Sequence, residues 1–406
     1  MPVAAPASIP SVMGPPPDIL FLNDFPPSNQ NGGTVLIRRL LSAYPAASLI
    51  ALTDRRHNKR LEPGLKWCAH HFSFYSKNEK GRFGVARLQA VFNLSLVPLI
   101  AIYAMRIIRR KPVSAILSVV SGTYFLAAAM VSSWMRTPLV LIVHDDWVPI
   151  VASFLPLPRR FFHFLMGWAL RKASHIFSVS DGMREMLQRE YGVDSEVQLP
   201  ATERLAPGAF TGGEEKSAGQ LRLLYMGNGV GAWESLMLLV DMVRTENAKR
   251  RGLPDIELHL CAPFKVDTDP NIVQHGWVSE AEARRQVALA DVLFLPYSFE
   301  DECRAITRAS FPAKSADYLA SGKAILVLGP EDSTVAIYAK QWQCAEIVME
   351  FDEIKLAEAL ARLAGSEEHR GELAANAQRA WEANHNIARQ QERLLEVLGN
   401  LAAQTS

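Results

Sequence analysis

Cysteine is scarce in this chain: Cys68, Cys261, Cys303 and Cys344 are all it has in 406 residues. No two stand at C-x-x-C spacing, which removes the commonest zinc and redox motifs, and so few thiols suit a reducing, cytosolic setting. Cys261 closes the apolar run Ile256–Cys261, so a buried free thiol is expected there. An excess of one charge is also missing. The 43 Lys and Arg nearly balance 42 Asp and Glu, for a formal net charge of +1, so no global field points to nucleic acid or an acidic polymer. A clean membrane span is lacking too. The most membrane-like stretch, Val91 to Ile108, is interrupted by Asn93, Ser95, Pro98 and Arg106 and reads as a buried or surface-lying helix. Met1 to Pro17 is small residues and proline, without the basic start and apolar block of a signal peptide, and is expected to be a disordered tail. Without a secretory context, the sequon Asn93-Leu94-Ser95 reads as chance.

What is present is an alternation. Short apolar runs of strand length recur at Ile19–Leu22, Ser48–Leu52, Ala115–Val120, Leu139–Val143 and Ile176–Val179. They return at Leu221–Met226, Ile256–Cys261, Val292–Leu295, Ala324–Leu328 and Glu346–Met349. Runs that are apolar throughout suit parallel strands covered on both faces, and helix-like segments between them imply doubly wound sheets. The pattern pauses from Pro200 to Gln220, where Pro207, Gly208, Gly212, Gly213 and Gly219 read as a linker. The fold class expected is therefore α/β, with two Rossmann-like parallel-sheet domains. The divisions drawn are a tail at 1–17, a first domain at 18–205, a second at 206–366, and a helical segment at 367–406 able to pack back on the first domain. Apolar residues at helical spacing, Leu356, Leu360 and Leu363 and later Leu394, Leu395, Val397, Leu398 and Leu401, mark the whole tail from Asp352 to Leu401 as helical.

Four loops stand where such folds put ligands, beyond the carboxyl ends of strands. After the first strand, Asn23-Asp24-Phe25-Pro26-Pro27 and then Asn31-Gly32-Gly33-Thr34 precede a helix, and a glycine pair there lets backbone N–H groups approach an anion. The alternative is a turn that needs positive φ. After Leu139–Val143 comes His144-Asp145-Asp146-Trp147. The histidine can reach a sugar hydroxyl or a developing charge, while either aspartate can simply cap the next helix. Gly227-Asn228-Gly229-Val230-Gly231 follows Leu221–Met226 but breaks the dinucleotide pattern, since Ala232 replaces its last glycine. The richest segment is Ser310 to Leu326. Pro312 leads into a short helix, Gly322 stops it, Lys314 at the helix start can meet a phosphate, and Asp317 one turn on can accept from ribose hydroxyls. A surface ion pair between Lys314 and Asp317 is the plainer reading of the same spacing.

Together these residues resemble the retaining glycosyltransferases of the two-Rossmann-domain (B-type) fold, in the group 1 or family 4-like superfamily, from about Asp18 to Leu363. In the last segment, Asp317-Tyr318-Leu319-Ala320-Ser321-Gly322-Lys323 resembles the family's phosphate-and-ribose element. Ser178-Val179-Ser180-Asp181 resembles its V-S-E segment, and Gly276-Trp277-Val278 with Ala290-Asp291-Val292 its base-binding stretch. The resemblance implies an activated sugar as donor, net retention, and a leaving diphosphate stabilised without metal or other cofactor. It assigns His144 to the transferred sugar, Lys314 to the diphosphate and Asp317 to ribose. Gly32, Gly33, Gly227 and Asn228 fall to phosphate or sugar, and Gly276 and Trp277 to the base. Asn228 and Trp233 stand where the family carries Arg and Lys, and Ala309 where it carries an acid. Arg304, Arg308 or Lys314 is the candidate source of the replaced charge. Asp267-Thr268-Asp269, beside Pro270, looks like a metal motif of another glycosyltransferase fold and reads as a turn.

The function expected is transfer from a nucleotide-sugar to a glycan or lipid-linked acceptor, in polysaccharide or glycoconjugate synthesis. The protein is expected in the cytoplasm, with peripheral contact on the inner membrane face. Basic and aromatic residues interleave from Pro158 to Lys172, and Arg106, Arg109, Arg110 and Lys111 close an apolar run, as at a membrane interface. A core helix with snorkelling cations gives the same pattern. The alternatives from other classes are a non-catalytic sugar-nucleotide or glycan binder and a sugar-nucleotide epimerase on the same fold. A nicotinamide oxidoreductase is disfavoured by the broken glycine pattern.

Overall fold

All ten runs form strands in the computed structural model, which describes residues 15–28, 32–54, 68–72, 91–155, 157–204, 220–249 and 255–405. The chain divides into two units: 1–198 with 387–406, and 199–386.

The first unit is a seven-stranded parallel sheet of β1 (Ile19–Asn23), β2 (Leu49–Asp54), β3 (Cys68–Phe72), β4 (Ala115–Val119), β5 (Leu139–Val143), β6 (His175–Ser178) and β7 (Glu196–Val197), in the order β3-β2-β1-β4-β5-β6-β7. Strands β1, β2, β4 and β5 are buried along their whole length, as two covered faces require. Side chains alternate across a strand, so Ile19 and Phe21 share one face with Ala115, Leu117, Val140 and Ile142. Helix Gly32–Leu41 and the closing helix Ile387–Thr405 cover that face through Ile37, Leu40, Leu41, Leu394, Leu395, Val397 and Leu398. Helix Tyr124–Met135, buried nearly all round, meets β1, β4 and β5, with helices Val97–Arg110 and Arg159–Leu170 packed against it. Among the described residues no helix is long and apolar enough to cross a membrane. The interrupted stretch is a surface-lying helix that buries Val97, Ile100, Ala101, Ala104, Ile107 and Ile108 along one side.

The second unit is a six-stranded parallel sheet of β8 (Leu221–Met226), β9 (Ile256–Cys261), β10 (Ile272–Gln274), β11 (Val292–Pro296), β12 (Ala324–Leu328) and β13 (Glu346–Val348), in the order β10-β9-β8-β11-β12-β13. Its core joins the central strands to helices Trp233–Lys249 and Glu353–Gly365, with Leu356, Leu360 and Leu363 fully buried.

Two expectations are corrected. The boundary drawn after 205 lies at 198–199. Of the proposed linker, 205–219 lie outside the described residues, but Ala201 and Thr202 are buried. Thr202 gives its N–H to the His385 carbonyl at 3.0 Å and takes the Trp381 indole N–H on its own carbonyl at 3.3 Å. The segment drawn as 367–406 is two helices of different allegiance: Glu367–Asn384 completes the second unit and Ile387–Thr405 the first. The tail expected at 1–17 falls outside the described residues up to 14, while the Tyr44 hydroxyl donates to the Pro17 carbonyl.

Candidate functional site

Strand order reverses direction at two points, between β1 and β4 and between β8 and β11. At such a point the loops leave on opposite sides and a crevice opens beyond the carboxyl ends.

In the second unit the loop after β8 bends through three glycines of positive φ: Gly227 (150°), Gly229 (77°) and Gly231 (67°). The Gly227 N–H donates to the Cys261 carbonyl at 3.1 Å, and the Ser298 N–H to the Gly231 carbonyl at 2.9 Å. The Tyr225 hydroxyl accepts from the Gly229 N–H and the Tyr318 hydroxyl from the Met226 N–H, each at 3.1 Å. Glu234, in the first turn of the following helix, accepts from Ser298 and Phe299 in the loop beyond β11. Both sides of the switch point are thereby pinned.

Lys314 is the second residue of helix Ala313–Ala320, with Pro312 at the cap. Its ammonium lies 4.2 Å from the centre of the Tyr225 ring, a cation–π contact. A Cβ on Gly227 would stand 2.9 Å from the Tyr225 hydroxyl and 3.2 Å from the Lys314 nitrogen, so both backbone shape and space demand glycine there. Burial pulls Lys314 down to about 7, because a poorly solvated site disfavours the ammonium. Burial also pushes the Tyr225 phenol up to about 12, against the pull of the Gly229 N–H. The ring therefore faces the lysine as a neutral π surface. Asp317, one turn beyond, takes the Thr202 hydroxyl at 2.9 Å. Exposed Asn228 turns its side-chain oxygen onto the Val230 N–H at 3.1 Å and so braces the loop itself.

The remaining residues of this unit stand further out. Gly276 (φ 69°) and Trp277, 63% exposed, follow edge strand β10. Their approach is held by His275, whose ring meets His259 at 2.8 Å, while His259 meets Glu257 at 2.8 Å. Arg308 pairs with Asp332 through two nitrogens, and Arg304 reaches the same oxygen at 3.0 Å. Burial pushes the Asp332 carboxyl up, but Arg308 and Arg304 prevail and hold it below its usual range. Asp269 accepts from the Asn271 N–H at 2.8 Å, the turn that the Asp267–Asp269 spacing suggested.

In the first unit, Gly32 and Gly33 form the exposed opening of helix Gly32–Leu41, and Asn31 lies outside the described residues. Half-buried His144 follows β5; burial lowers its pKa while Asp145 pulls it back up. Asp146 caps helix Trp147–Phe154 through the Val148 N–H at 3.1 Å, so one of the two aspartates is structural. Just beyond β1 stands Asp24, whose carboxylate accepts from the N–H groups of Thr123 and Tyr124 at 3.1 Å. Burial pushes it up to about 7 against those two donors. A Cβ on Gly122 would lie 2.2 Å from that carboxylate, so glycine is required beside it.

The structure brings Lys314 to Gly227 and sets Asp317 on the same short helix. It also supplies Tyr225, Tyr318 and Thr202, to which the sequence assigns no role, and gives Asp24 of the first loop two backbone partners. Tyr225 sits inside an apolar run and reads as core, and Thr202 stands at the head of a stretch that reads as linker.

Residues 42–199 match the family model described as Glycosyltransferase Family 4. No curated protein matches the sequence. Solved structures with the same fold include a glycosyltransferase from Rickettsia africae ESF-5, 13% identical with a TM-score of 0.66, covering 94% of this chain and 98% of that one. Sucrose-phosphate synthase from Thermosynechococcus elongatus is also 13% identical with a TM-score of 0.66, over 94% and 99%. Anabaena Alr3699/HepE in complex with UDP-glucose is 12% identical with a TM-score of 0.65, over 94% and 99%. The chain has the two-Rossmann-domain glycosyltransferase fold.

Proposed function

We propose that this chain, a B-type glycosyltransferase by fold with a Glycosyltransferase Family 4 segment in its first unit, moves a sugar from a nucleotide-sugar donor to a glycan or lipid-linked acceptor. The second unit takes the donor and the first the acceptor. The observation that carries this reading is the Lys314 ammonium beside the Gly227 loop at the β8–β11 switch point. There a cation, a helix N-terminus and a glycine-rich backbone can all oppose the charge that develops on a leaving diphosphate. That assembly needs no metal or cofactor, and retention follows from the family resemblance alone. Asp317 is assigned to ribose, with its Thr202 bond fixing the carboxylate. Gly276 and Trp277 are assigned to the base, and His144 to the transferred sugar. Arg308 contributes charge only together with Asp332. The Anabaena protein solved with UDP-glucose supports a nucleoside-diphosphate sugar as the donor class.

The test is nucleotide release from UDP-, GDP-, ADP- and TDP-sugars by wild-type protein and Lys314→Ala, with and without membrane extract. Release from one donor, slower by about 100-fold or more in the variant, is expected from loss of a charge-stabilising group. Absence of binding to every donor would sink the site. Binding without release under all acceptor conditions would mark a sugar-nucleotide binder, and donor conversion without acceptor an epimerase.

A further inference from the structure

One face of β9 carries a line of polar groups. Glu257 and His259 alternate along the strand with Ile256, Leu258 and Leu260, so they point away from the core that those three enter. His259 is only 3% exposed, and Arg222, in register with Glu257 on β8, is buried as well. The Arg222 Nε donates to Glu257 Oε2 at 3.2 Å, and the same oxygen meets His259 Nε2 at 2.8 Å. On its other side, His259 Nδ1 meets His275 Nε2 at 2.8 Å.

This line ends at the root of a short loop. Only Gly276, Trp277 and Val278 separate two anchors. At one, His275 gives its N–H to the Leu260 carbonyl at 2.9 Å and its ring to His259. At the other, Ser279 caps helix Glu280–Leu289 by accepting the Glu282 N–H at 3.2 Å.

Hydrogen-bond chemistry fixes the proton count. Burial pushes the Glu257 carboxyl up, but His259 and Arg222 prevail and hold it below its usual range. A carboxylate only accepts, so His259 Nε2 carries a hydrogen. Neutral His259 then offers a lone pair at Nδ1, to which His275 Nε2 donates. One further proton is accommodated: charged His259 donates from Nδ1, and His275 accepts by carrying its hydrogen on Nδ1 instead. A second sets two N–H groups face to face across 2.8 Å, and the bond is lost. Charge faces the pair from two sides. Glu257 and Arg222 lie along the strands, with Asp291 accepting the Arg222 N–H at 2.8 Å. Glu282 stands on the helix, held below the usual carboxylate range by the Gln286 amide against its desolvation, then by Arg285 and His275.

We propose that His259 is a positioning residue for the nucleobase of the donor: through His275 it holds the Gly276–Trp277 loop while the two rings share at most one proton, and it releases the loop when both are charged. The role rests on the donor reading, in which Gly276 and Trp277 take the base. Its sign is opposite to that of Lys314. The bond stands above the ordinary imidazole range, about 6.5, and is lost as pH falls through and below it, so nucleotide binding weakens in acid for this reason and in alkali for the lysine.

The experiment is hydrogen exchange of the full chain without ligand at about pH 7.5 and 5, corrected for intrinsic rates, with UDP and GDP affinity measured under the same conditions. In wild type, amides 275–279 should exchange about tenfold faster in acid while β8 and β11 stay protected, and affinity should fall in step. His259→Asn keeps an acceptor where Nδ1 stood but does not titrate, so its loop should stay closed at both pH values. His259→Leu, and His275→Ala at a half-buried position, should exchange fast at both. No acid opening in wild type, the same opening in His259→Asn, opening shared equally by β8 and β11, or an affinity that ignores the opening would each overturn the proposal. No binding of UDP or GDP by wild type at neutral pH would sink the donor reading and this role with it, and a loop that still opens in acid would identify that failure as the reading's.

Discussion

The ammonium of Lys314 rests on a neutral ring with its pKa drawn down to about 7, so its charge at neutral pH depends on what else is bound. A diphosphate placed beside it favours the ammonium and raises that value. Donor binding at pH 8 should therefore take up a proton. Calorimetry in two buffers of different ionisation enthalpy should find an uptake approaching one proton, and Lys314→Arg, always charged, should abolish it. Affinity should fall as pH rises above 7, by at most about tenfold per unit; a flat profile between pH 6 and 9 would refute the assignment. The effect on stability has the opposite sign. Between about 7 and 10.5 the unfolded lysine holds a proton that the folded one does not, so this group makes folding more favourable as pH rises. Gly227 at a strand end, and Lys314 and Asp317 on a short helix opened by Pro312, were legible in the sequence as candidates. Tyr225 and Tyr318 were not, because a tyrosine in a buried run signals packing until its hydroxyl partner is known.

Among elements, ten strands were legible and three were not: β3, β7 and β10. Each of the three is an edge strand, and none presents the continuous apolar run by which the covered central strands were read. Their sequences, Cys-Ala-His-His-Phe, Glu-Val and Ile-Val-Gln, carry little such signal. The closing helix was legible as a helix, and its docking follows from contacts made within the first unit. Leu394 and Leu398 enter the sheet core, while Arg393 grips Glu196 through two nitrogens at 2.5 and 2.8 Å. Leu398 is fully buried, so Leu398→Ala should cost about 2–5 kcal/mol of stability, read as a lowered urea midpoint. A loss under about 1 kcal/mol would mean that the helix adds little to the first unit's core.

At the scale of the molecule, one unit is inserted in the other: the chain leaves the first after 198 and returns at 387. The second unit has its own sheet and its own core, from Leu221 to Leu373. Residues 199–386 expressed alone should therefore unfold in a single cooperative transition by circular dichroism and calorimetry. Residues 1–198 alone, with one face of the sheet stripped of Leu394, Leu395, Val397 and Leu398, should bind a hydrophobic dye and lack such a transition. The broad fold was legible in the alternation of strands and helices, but the return of the last helix was only permitted by its leucines, because helical spacing does not say which sheet a helix will cover. Insertion also sets an order in time on the ribosome. The portion made first is finished last: at typical synthesis rates, roughly 10–40 seconds separate the emergence of residue 198 from that of the closing helix. Throughout that interval a nascent seven-stranded sheet has no cover for part of its apolar face, and the strongest demand for a chaperone falls in the second half of translation.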